Sequence, residues 1–560
     1  MDIPNRNAHK PSAFVAFSDR GIHWIADPAC RHLLPAALEA LLHPWASETC
    51  RLLRENPVRR SVILRLPHAG EAIFAKLYKK PASAARLKYL LLPSKASAEW
   101  KSMRKLFRRG LPVAYPLARG EKRRFGFLDE AYLFTRALEG AATLTEICSR
   151  HHSFARRKAL AEETAKLVAA VHREGFFFRD LHAGNILLAP STDEISRLYL
   201  IDFHKVWHTG WVPLWMRARD LAQLHNSLSL SRTVRMRFLR CYLGHANLPA
   251  AALPGLARRI ERTAARMWST HLRSRTKRCL KQSSEFSISA RGACTIYRNR
   301  IYPEPLIEAL LDRFQHPGRD NPIILKKTAK ETVSVRSVTQ DGDVCTVVIK
   351  EARFASLFSR LRNSLFPSRA RRNWIGARAL RVRGISTPEA IALIEYRIGL
   401  LLHRTLLLTR YVDQSHELND YVLMRYNRVL SEDAARHKKR FIAALAGLIR
   451  ELHEKRIYHA DLKSNNILVR ETGDGWSLYL VDLDRIRCGR RLSFEERANN
   501  LAQINASVAA CISPADRSLF FKRYAQGTPL AKERKRYYKK IVAIGRRKNT
   551  RPYGLIFPQS

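Results

Sequence analysis

Phe178-Arg179-Asp180-Leu181-His182-Ala183-Gly184-Asn185-Ile186-Leu187-Leu188 is followed, twenty-two residues after Asp180, by Asp202 in Leu200-Ile201-Asp202-Phe203-His204. A near copy lies downstream: His459-Ala460-Asp461-Leu462-Lys463-Ser464-Asn465-Asn466-Ile467-Leu468-Val469, then Asp482 in Leu480-Val481-Asp482-Leu483-Asp484. An aspartate on a loop can accept the proton of an attacking hydroxyl. An asparagine five residues on can place its amide oxygen on a divalent metal, and a second aspartate at the end of the next strand pair adds a charged ligand. Mg²⁺ prefers oxygen donors and is commonly held together with ATP phosphates. Phosphoryl transfer asks for little beyond positioning and charge neutralisation. The candidate proton acceptors are therefore Asp180 and Asp461, and the candidate metal ligands are Asn185, Asp202, Asn466 and Asp482.

These residues sit in a chain that is written twice. Lys76 in IFAKLY matches Lys350 in VVIKEA at an offset of 274, as do Trp100 with Trp374, Gly110 with Gly384 and Thr135-Arg136 with Thr409-Arg410. Asp180 matches Asp461 and Asn185 matches Asn466 at 281, while Asp202 matches Asp482 and Leu221-Ala222-Gln223 matches Leu501-Ala502-Gln503 at 280. The second copy thus gains about seven residues between Arg410 and Asp461. A period near 275 residues is a whole domain and not a solenoid unit. The expected domains are 1–275 and 276–560, joined within the basic, polar stretch HLRSRTKRCLKQSSEF.

Each copy has the same outline. Alternating apolar residues in 61–78 and 333–350 predict hairpins turning at His68-Ala69-Gly70 and Asp341-Gly342. A basic segment of helical period follows (95–109; 369–383), then an apolar strand (Tyr132–Thr135; Thr405–Thr409). A helix is predicted over 156–174, with Leu160, Ala161, Thr164, Leu167, Val168 and Val171 on one face, and its twin over 436–455. The aspartate and asparagine motifs close each copy, as a strand pair followed by more helices.

Asp-x4-Asn-Ile-Leu followed by an apolar-Asp pair resembles the catalytic and metal loops of protein-kinase-like phosphotransferases. The resemblance implies an α+β, protein-kinase-like bilobal fold, duplicated in tandem, with N-lobes at about 15–140 and 286–415 and C-lobes at about 141–275 and 416–560. It implies that Lys76 and Lys350 are the lysines that pair with ATP phosphates, and that Glu99, 23 residues after Lys76, holds Lys76. Arg219-Asp220-Leu221 resembles the buried aspartate that braces a kinase catalytic loop; the second copy has Asn500 there. Neither copy has a GxGxxG loop, so the residues covering the phosphates are not legible. The segments AEW…RRGLPVAYPLA, RARRNW…RVRGISTPEAIALIE, RSRTKRCLKQSSEF and RDLAQL resemble the bacterial lipopolysaccharide core kinases of the Kdo/WaaP or InaA-like group. This likeness covers about 15–270 and 285–550. It implies ATP and Mg²⁺ as cofactors, and phosphorylation of Kdo (3-deoxy-manno-octulosonic acid) or heptose in the inner core at the cytoplasmic membrane face.

The copies differ in one telling place. Asn373 stands where Glu99 aligns, and no acid occurs from Ala352 to Ser386, so Lys350 is expected to lack its ion pair. The second site is then expected to be the weaker catalyst.

Charge supports an anionic partner. The 560 residues carry 100 Lys and Arg against 49 Asp and Glu, a net charge of +51. Eight arginines and no acid lie between Ser359 and Arg383, and ten basic residues lie from Lys532 to Arg551, with Tyr537 and Tyr538 among them. These two segments are expected to hold a lipid A-core acceptor and the anionic inner-membrane surface. No nucleic-acid-reading motif is present, so nucleic acid is not an expected partner. Nine scattered cysteines without a CxxC pair fit a reducing cytosol. With no apolar run long enough to span a bilayer, the expected location is cytoplasmic and peripheral at the inner membrane. Another kinase-like phosphotransferase, acting on a small molecule or of the RIO protein-kinase type, and a kinase-shaped scaffold with one inactive copy are the competing readings.

Overall fold

The structure, a computed structural model, describes residues 14–547 apart from 46–49, 67–70, 82, 151–152, 191–196, 229, 316–321, 341–342, 429–430, 474, 529 and 531–532. The chain divides into two compact units, Met1–Trp268 and Ser269–Ser560. The turns expected at His68-Ala69-Gly70 and Asp341-Gly342 lie outside the described residues.

The first unit opens on a seven-stranded antiparallel sheet. Its spatial order is Val15–Asp19, Ile22–Ala26, Pro116–Arg124, Phe127–Arg136, Ile73–Tyr78, Arg59–Leu64, Cys50–Glu55. The period-2 pattern of Ile73–Tyr78 divides its side chains between two faces. Ile73, Ala75 and Leu77 pack with Leu34, Leu38 and Leu41 of the helix Leu34–Leu42. Lys76 and Tyr78 face the other way, toward the helix Lys95–Arg108. Ser94 starts that helix, its hydroxyl accepting from the Ser97 amide at 3.1 Å. Losing such a cap costs about 1 kcal/mol. Glu99 shares the helix's buried stripe with Ala96, Trp100, Met103 and Leu106, so apolar packing fixes where its carboxylate points.

The second half of this unit is mostly helical. Phe154–Arg173 buries Leu160, Ala161, Thr164, Leu167, Val168 and Val171. A small sheet, ordered Arg197–Leu200, Ile186–Ala189, Ala142–Thr143, carries the loop motifs at its ends. Helices Leu214–Ser227 and Arg232–His245 close the core around it.

The second unit repeats this plan. Its seven-stranded sheet runs Phe286–Arg291, Cys294–Asn299, Ala390–Ile398, Leu401–Arg410, Asp343–Arg353, Glu331–Gln340, Ile323–Lys327. The helix Arg369–Val382 starts at Ser368, which caps the Arg371 amide at 3.1 Å. Trp374 is buried and donates its indole N–H to the Cys279 carbonyl at 2.9 Å. At Gly376 a Cβ would fall 2.8 Å from the Leu483 Cβ, so the missing side chain lets the helix lie directly on the turn after Asp482. The helical half holds Glu432–Glu454, the small sheet Ser415–Glu417, Ile467–Thr472, Gly475–Leu480, and the helices Phe494–Ser507, Pro514–Ala525 and Arg534–Arg547. Among the described residues, no helix is long and apolar enough to cross a membrane.

Two expectations about basic segments change here. Most of the arginine run is tied internally. Arg369 and Arg372 pair with Asp484, Arg371 with Glu395, Arg378 with Glu285 and Arg381 with Glu389. A stretch without acids takes its counter-charges from other elements, which local composition does not reveal. In the tail, Tyr537 is buried against Phe494 and Phe521 and belongs to the core. Lys532 and residues 548–551 lie outside the described residues.

Candidate active site

In the first unit the strand and the helix bring Lys76 and Glu99 together. Lys76 Nζ lies 2.7 Å from Glu99 Oε1, with both side chains buried. The Tyr78 hydroxyl donates to Glu99 Oε2 at 2.7 Å. Burial and the neighbouring Glu99 push the Tyr78 phenol well above its usual range, so it remains a donor. Glu99 Oε1 also accepts from the Phe203 amide at 3.4 Å, which links the helix to the segment carrying Asp202.

Asp202 gathers cations. Lys76 Nζ is 3.9 Å from its Oδ1 and Arg59 Nη1 is 3.7 Å from its Oδ2. His204 Nδ1 is 2.6 Å from Oδ1. Burial by itself would raise this carboxyl, but the His204 hydrogen bond and the charges of Lys76, His204 and Arg59 hold it below the usual carboxylate range. Its backbone is left-handed, with φ 65, a conformation aspartate tolerates better than most residues.

Asp180 sits on the neighbouring loop. Its Oδ1 accepts from Gln223 Nε2 and its Oδ2 from Lys205 Nζ, each at 2.5 Å. Asn185 Nδ2 donates to the Asp180 carbonyl at 3.0 Å, and the Ile201 amide donates to the Asn185 carbonyl at 3.0 Å, so loop and strand pair are laced together. Asp220 is fully buried and accepts from the amides of Phe178 and Arg179 at 2.8 and 3.0 Å. Arg179 is left-handed, with φ 61, and Asp220 holds that turn in place.

The second unit places its counterparts on the same elements. Asn466 Nδ2 donates to the Asp461 carbonyl at 2.7 Å and the Val481 amide donates to the Asn466 carbonyl at 3.0 Å. Asp482 is left-handed, with φ 55. Lys463 Nζ is 2.9 Å from Asp461 Oδ1. His459 Nε2 lies 3.2 Å from the Val481 carbonyl, whereas its counterpart Phe178 packs edge-on against Phe203 at 6.0 Å. Asn500 replaces Asp220: its amide donates to the His459 carbonyl at 2.5 Å.

The surroundings of the lysine are rebuilt in the second unit. Among the described residues Lys350 has no ion pair. Asn373 Oδ1 accepts from the Leu483 amide at 2.6 Å, the link Glu99 makes to Phe203. Arg369 supplies the cation, with its guanidinium 3.7 Å from Asp482 Oδ2 and 3.1 Å from Asp484 Oδ2. Desolvation opposes the charge on Arg369, but Asp484, Asp482 and Glu331 raise its pKa overall. Lys350, Arg369 and Asp484 line a cavity of about 1120 Å³ that also reaches Lys330 and Arg362.

Three features escaped the sequence reading. The turn between the first two strands of each hairpin series lies beside the lysine: Asn56-Pro57-Val58 in the first unit and Thr328-Ala329-Lys330 in the second. It is closed by side chains, with Asn56 Oδ1 accepting from Val58 and Arg59 amides at 3.0 and 2.8 Å, and Thr328 Oγ1 accepting from Glu331 at 3.0 Å. An Asn-Pro pair was the one available signal. Arg59, leaving that turn, and Lys205, beside Asp180, carried no motif.

A 3-deoxy-D-manno-octulosonic acid kinase of Xanthomonas campestris pv. campestris (strain B100) is 36% identical over 148 residues, which is 26% of this chain and 54% of the relative. One of the same description from Xylella fastidiosa (strain M12) is 36% identical over 134 residues, 23% of this chain and 48% of the relative. The chain spans about half the length of the curated relatives it matches. A solved structure described as WaaP in complex with acyl carrier protein is 25% identical, covers 43% of this chain and 98% of its own, and has a TM-score of 0.33. The fold is α+β and protein-kinase-like, repeated in tandem. With its two segments 44–242 and 350–524 matching the model of the lipopolysaccharide kinase (Kdo/WaaP) family, together more than half of its length, the chain belongs to that family.

Proposed function

We propose that the chain is an ATP-dependent kinase that phosphorylates a hydroxyl of an inner-core sugar, Kdo or heptose, of lipopolysaccharide at the cytoplasmic face of the inner membrane. The observation that carries this reading is the convergence of Lys76, Glu99 and Asp202, with Asp180 and Asn185 on the adjoining loop. Family membership supports the sugar acceptor.

In this reading Asp180 accepts the proton of the sugar hydroxyl as its oxygen attacks the γ-phosphorus of ATP, the bond to the β,γ-bridging oxygen breaks and ADP leaves. Gln223 fixes one carboxylate oxygen and Lys205 the other. Lys76, held by Glu99, binds ATP phosphates, and Arg59 brings a second cation from the covering turn. The donor set Asn185 and Asp202 offers hard oxygens, which fits Mg²⁺. The metal, when bound, neutralises phosphate charge. Asp461, Asn466 and Asp482 have the corresponding roles in the second unit, with Lys350 and Arg369 as its phosphate-side cations. A scaffold would have no use for two intact sets of loop oxygens.

The test is mass spectrometry of lipid A-core from cells with and without this chain. Adding HPO₃ raises the mass by roughly 80 Da per phosphate. That difference, absent again when Asp180→Asn and Asp461→Asn replace the wild type, is the expected result. Identical core masses in all strains would reject the acceptor.

A further inference from the structure

The reading above has the acceptor anchored in a bilayer, and the following inference rests on it. We propose that each unit docks on an anionic phospholipid surface through one apolar patch, formed by the helix after the lysine strand and the tip of the neighbouring hairpin.

In the second unit the helix Leu357–Leu365 is turned inside out. Its inner side is polar. Arg360 Nε donates to the Phe354 carbonyl at 2.9 Å, and Ser364 Oγ accepts from the Leu402 amide at 2.7 Å, fastening the helix to the hairpin. Its outer side presents Leu357, Phe358, Leu361 and Leu365 to solvent, followed by Phe366; Phe358 is 77% exposed. At the tip of that hairpin, Ile398 and Leu400 are exposed, Leu400 by 89%.

The first unit builds the same patch from a different sequence. In the helix Ser83–Leu91, Leu87, Leu90 and Leu91 face solvent, Leu91 with 93% of its surface. Phe125, 88% exposed, stands at the tip of the hairpin Pro116–Arg124 and Phe127–Arg136. Arg123 joins the two, donating to the carbonyls of Tyr89 and Gly126 at 3.1 and 3.0 Å. A single exposed leucine needs no explanation, whereas contiguous apolar groups mark an interaction surface. Occurrence at the same place in both units, on unlike helices, excludes an accident of one sequence.

Charge selects the occupant. No acid occurs from Leu77 to Ala98 or from Ala352 to Ser386. Among the described residues, Lys88, Arg124 and Arg362 have no carboxylate partner. Apolar side chains with unpaired cations beside them match the interface of an anionic bilayer. There the apolar groups sink about 5–10 Å toward the acyl boundary while the cations meet phosphates. Each basic residue near such a surface adds to the attraction, and salt screens it.

The experiment uses the full chain in flotation with phosphatidylcholine vesicles, with and without phosphatidylglycerol. Binding should require phosphatidylglycerol and weaken with salt. Leu361→Glu with Leu365→Glu should lower the partition coefficient at least tenfold, and Leu91→Glu with Phe125→Glu should do the same. Thermal unfolding of both variants should match the wild type, showing that they fold. Lys88→Glu and Arg362→Glu, which leave the apolar groups in place, should each give a smaller loss. Binding that ignores the apolar substitutions overturns the proposal. So does equal binding to neutral vesicles, or dissociation of a self-associated wild type by the same substitutions, which would assign the patches to a second copy. Vesicle binding involves no phosphate transfer, so loss of the kinase reading with this pattern intact, or the reverse, is read separately.

Discussion

In the first unit the cations facing the strand-end aspartate come from the sheet: Lys76 and Arg59 approach Asp202. In the second they come from the helix: Arg369 approaches Asp482, and Arg372 joins it on Asp484. Position by position the charges have changed places. Arg59 pairs across from Tyr78, and the corresponding place, across from Ala352, holds Glu331. Glu99 becomes Asn373, His204 becomes Asp484 and Lys95 becomes Arg369. The oxygens of the two loops are kept, while the element that provides the cation facing the strand-end aspartate differs. Charge balance around the aspartate is therefore preserved without preserving any one ion pair. The difference in burial matters. Lys76 and Glu99 are almost fully enclosed, at 8% and 3% side-chain exposure, whereas Arg369 is 55% exposed. Pairing at an exposed group is screened and contributes little stability.

Several changes break or sharpen this comparison. Glu99→Ala removes one partner of a buried pair and should cost the first unit about 3–5 kcal/mol in urea unfolding. The matching Asn373→Ala removes an acceptor for the Leu483 amide and a donor to the Arg369 carbonyl, both uncharged, and about 1–3 kcal/mol is expected. Equal losses would mean that Glu99 acts as a hydrogen-bond acceptor and its charge does not matter.

Next in size is turnover. With the second site disabled by Asp461→Asn, Asp180→Asn and Asp202→Asn should each lower transfer on the order of 10²-fold or more. Mg-ATP binding should survive Asp180→Asn better than Asp202→Asn, because only the second residue is assigned to the metal. Wild-type turnover in both would remove the site.

The cation exchange has its own readout. With Asp202→Asn silencing the first site, Arg369→Gln should weaken Mg-ATP binding about tenfold, one lost charge contact of about 1.4 kcal/mol. Lys350→Gln should weaken it less. In the first unit the order should reverse, with Lys76→Gln far worse than Lys95→Gln. Asn373→Glu offers Lys350 a partner and should raise second-site activity by a few-fold at most, since Arg369 is already in place.

The smallest effect concerns two buried histidines. Burial pushes His453 down to about 4 despite its hydrogen bond with Asn500, and burial also lowers His172, against the opposing pull of Asp220. Both are neutral when folded. The stability they contribute is complete above the ordinary histidine value of about 6.5 and falls as pH drops, because the unfolded chain takes up the proton first. Asn500→Asp adds a negative charge that favours the imidazolium. The His453 titration followed by NMR should move upward, and the acid loss of stability should shrink. An unchanged midpoint would mean that Asn500 does not set it.

Much of the fold was legible because its signals are local. Alternation revealed the Lys76 and Lys350 hairpins, and helical spacing revealed Lys95–Arg108, and Phe154–Arg173 with its buried face. The internal repeat aligned Lys76, Asp180, Asn185 and Asp202 with their counterparts, since a duplicated pattern stands out without any knowledge of packing. What stayed hidden depends on long-range encounters. Arg59 and Lys205 meet their aspartates across 143 and 25 residues of chain, and no spacing rule marks them. The turn beside the lysine is closed by Asn56 and Thr328 side chains and contains no glycine that a motif could mark. The arginine run looked unpaired because its acids, Glu285, Glu389, Glu395 and Asp484, come from elsewhere. The inside-out helix Leu357–Leu365 kept its amphipathic period, and the period does not say which face is outside.

In the proposed function both units transfer phosphate, and the first is the stronger. Transfer of labelled γ-phosphate from ATP to a purified lipid A-core acceptor measures this directly, using the full chain with Asp202→Asn, with Asp482→Asn and with both. Asp202→Asn should cause a large loss, Asp482→Asn a smaller one, and the double variant should transfer none. Wild-type transfer by the double variant, or an Asp202→Asn chain as fast as the wild type, would contradict this function.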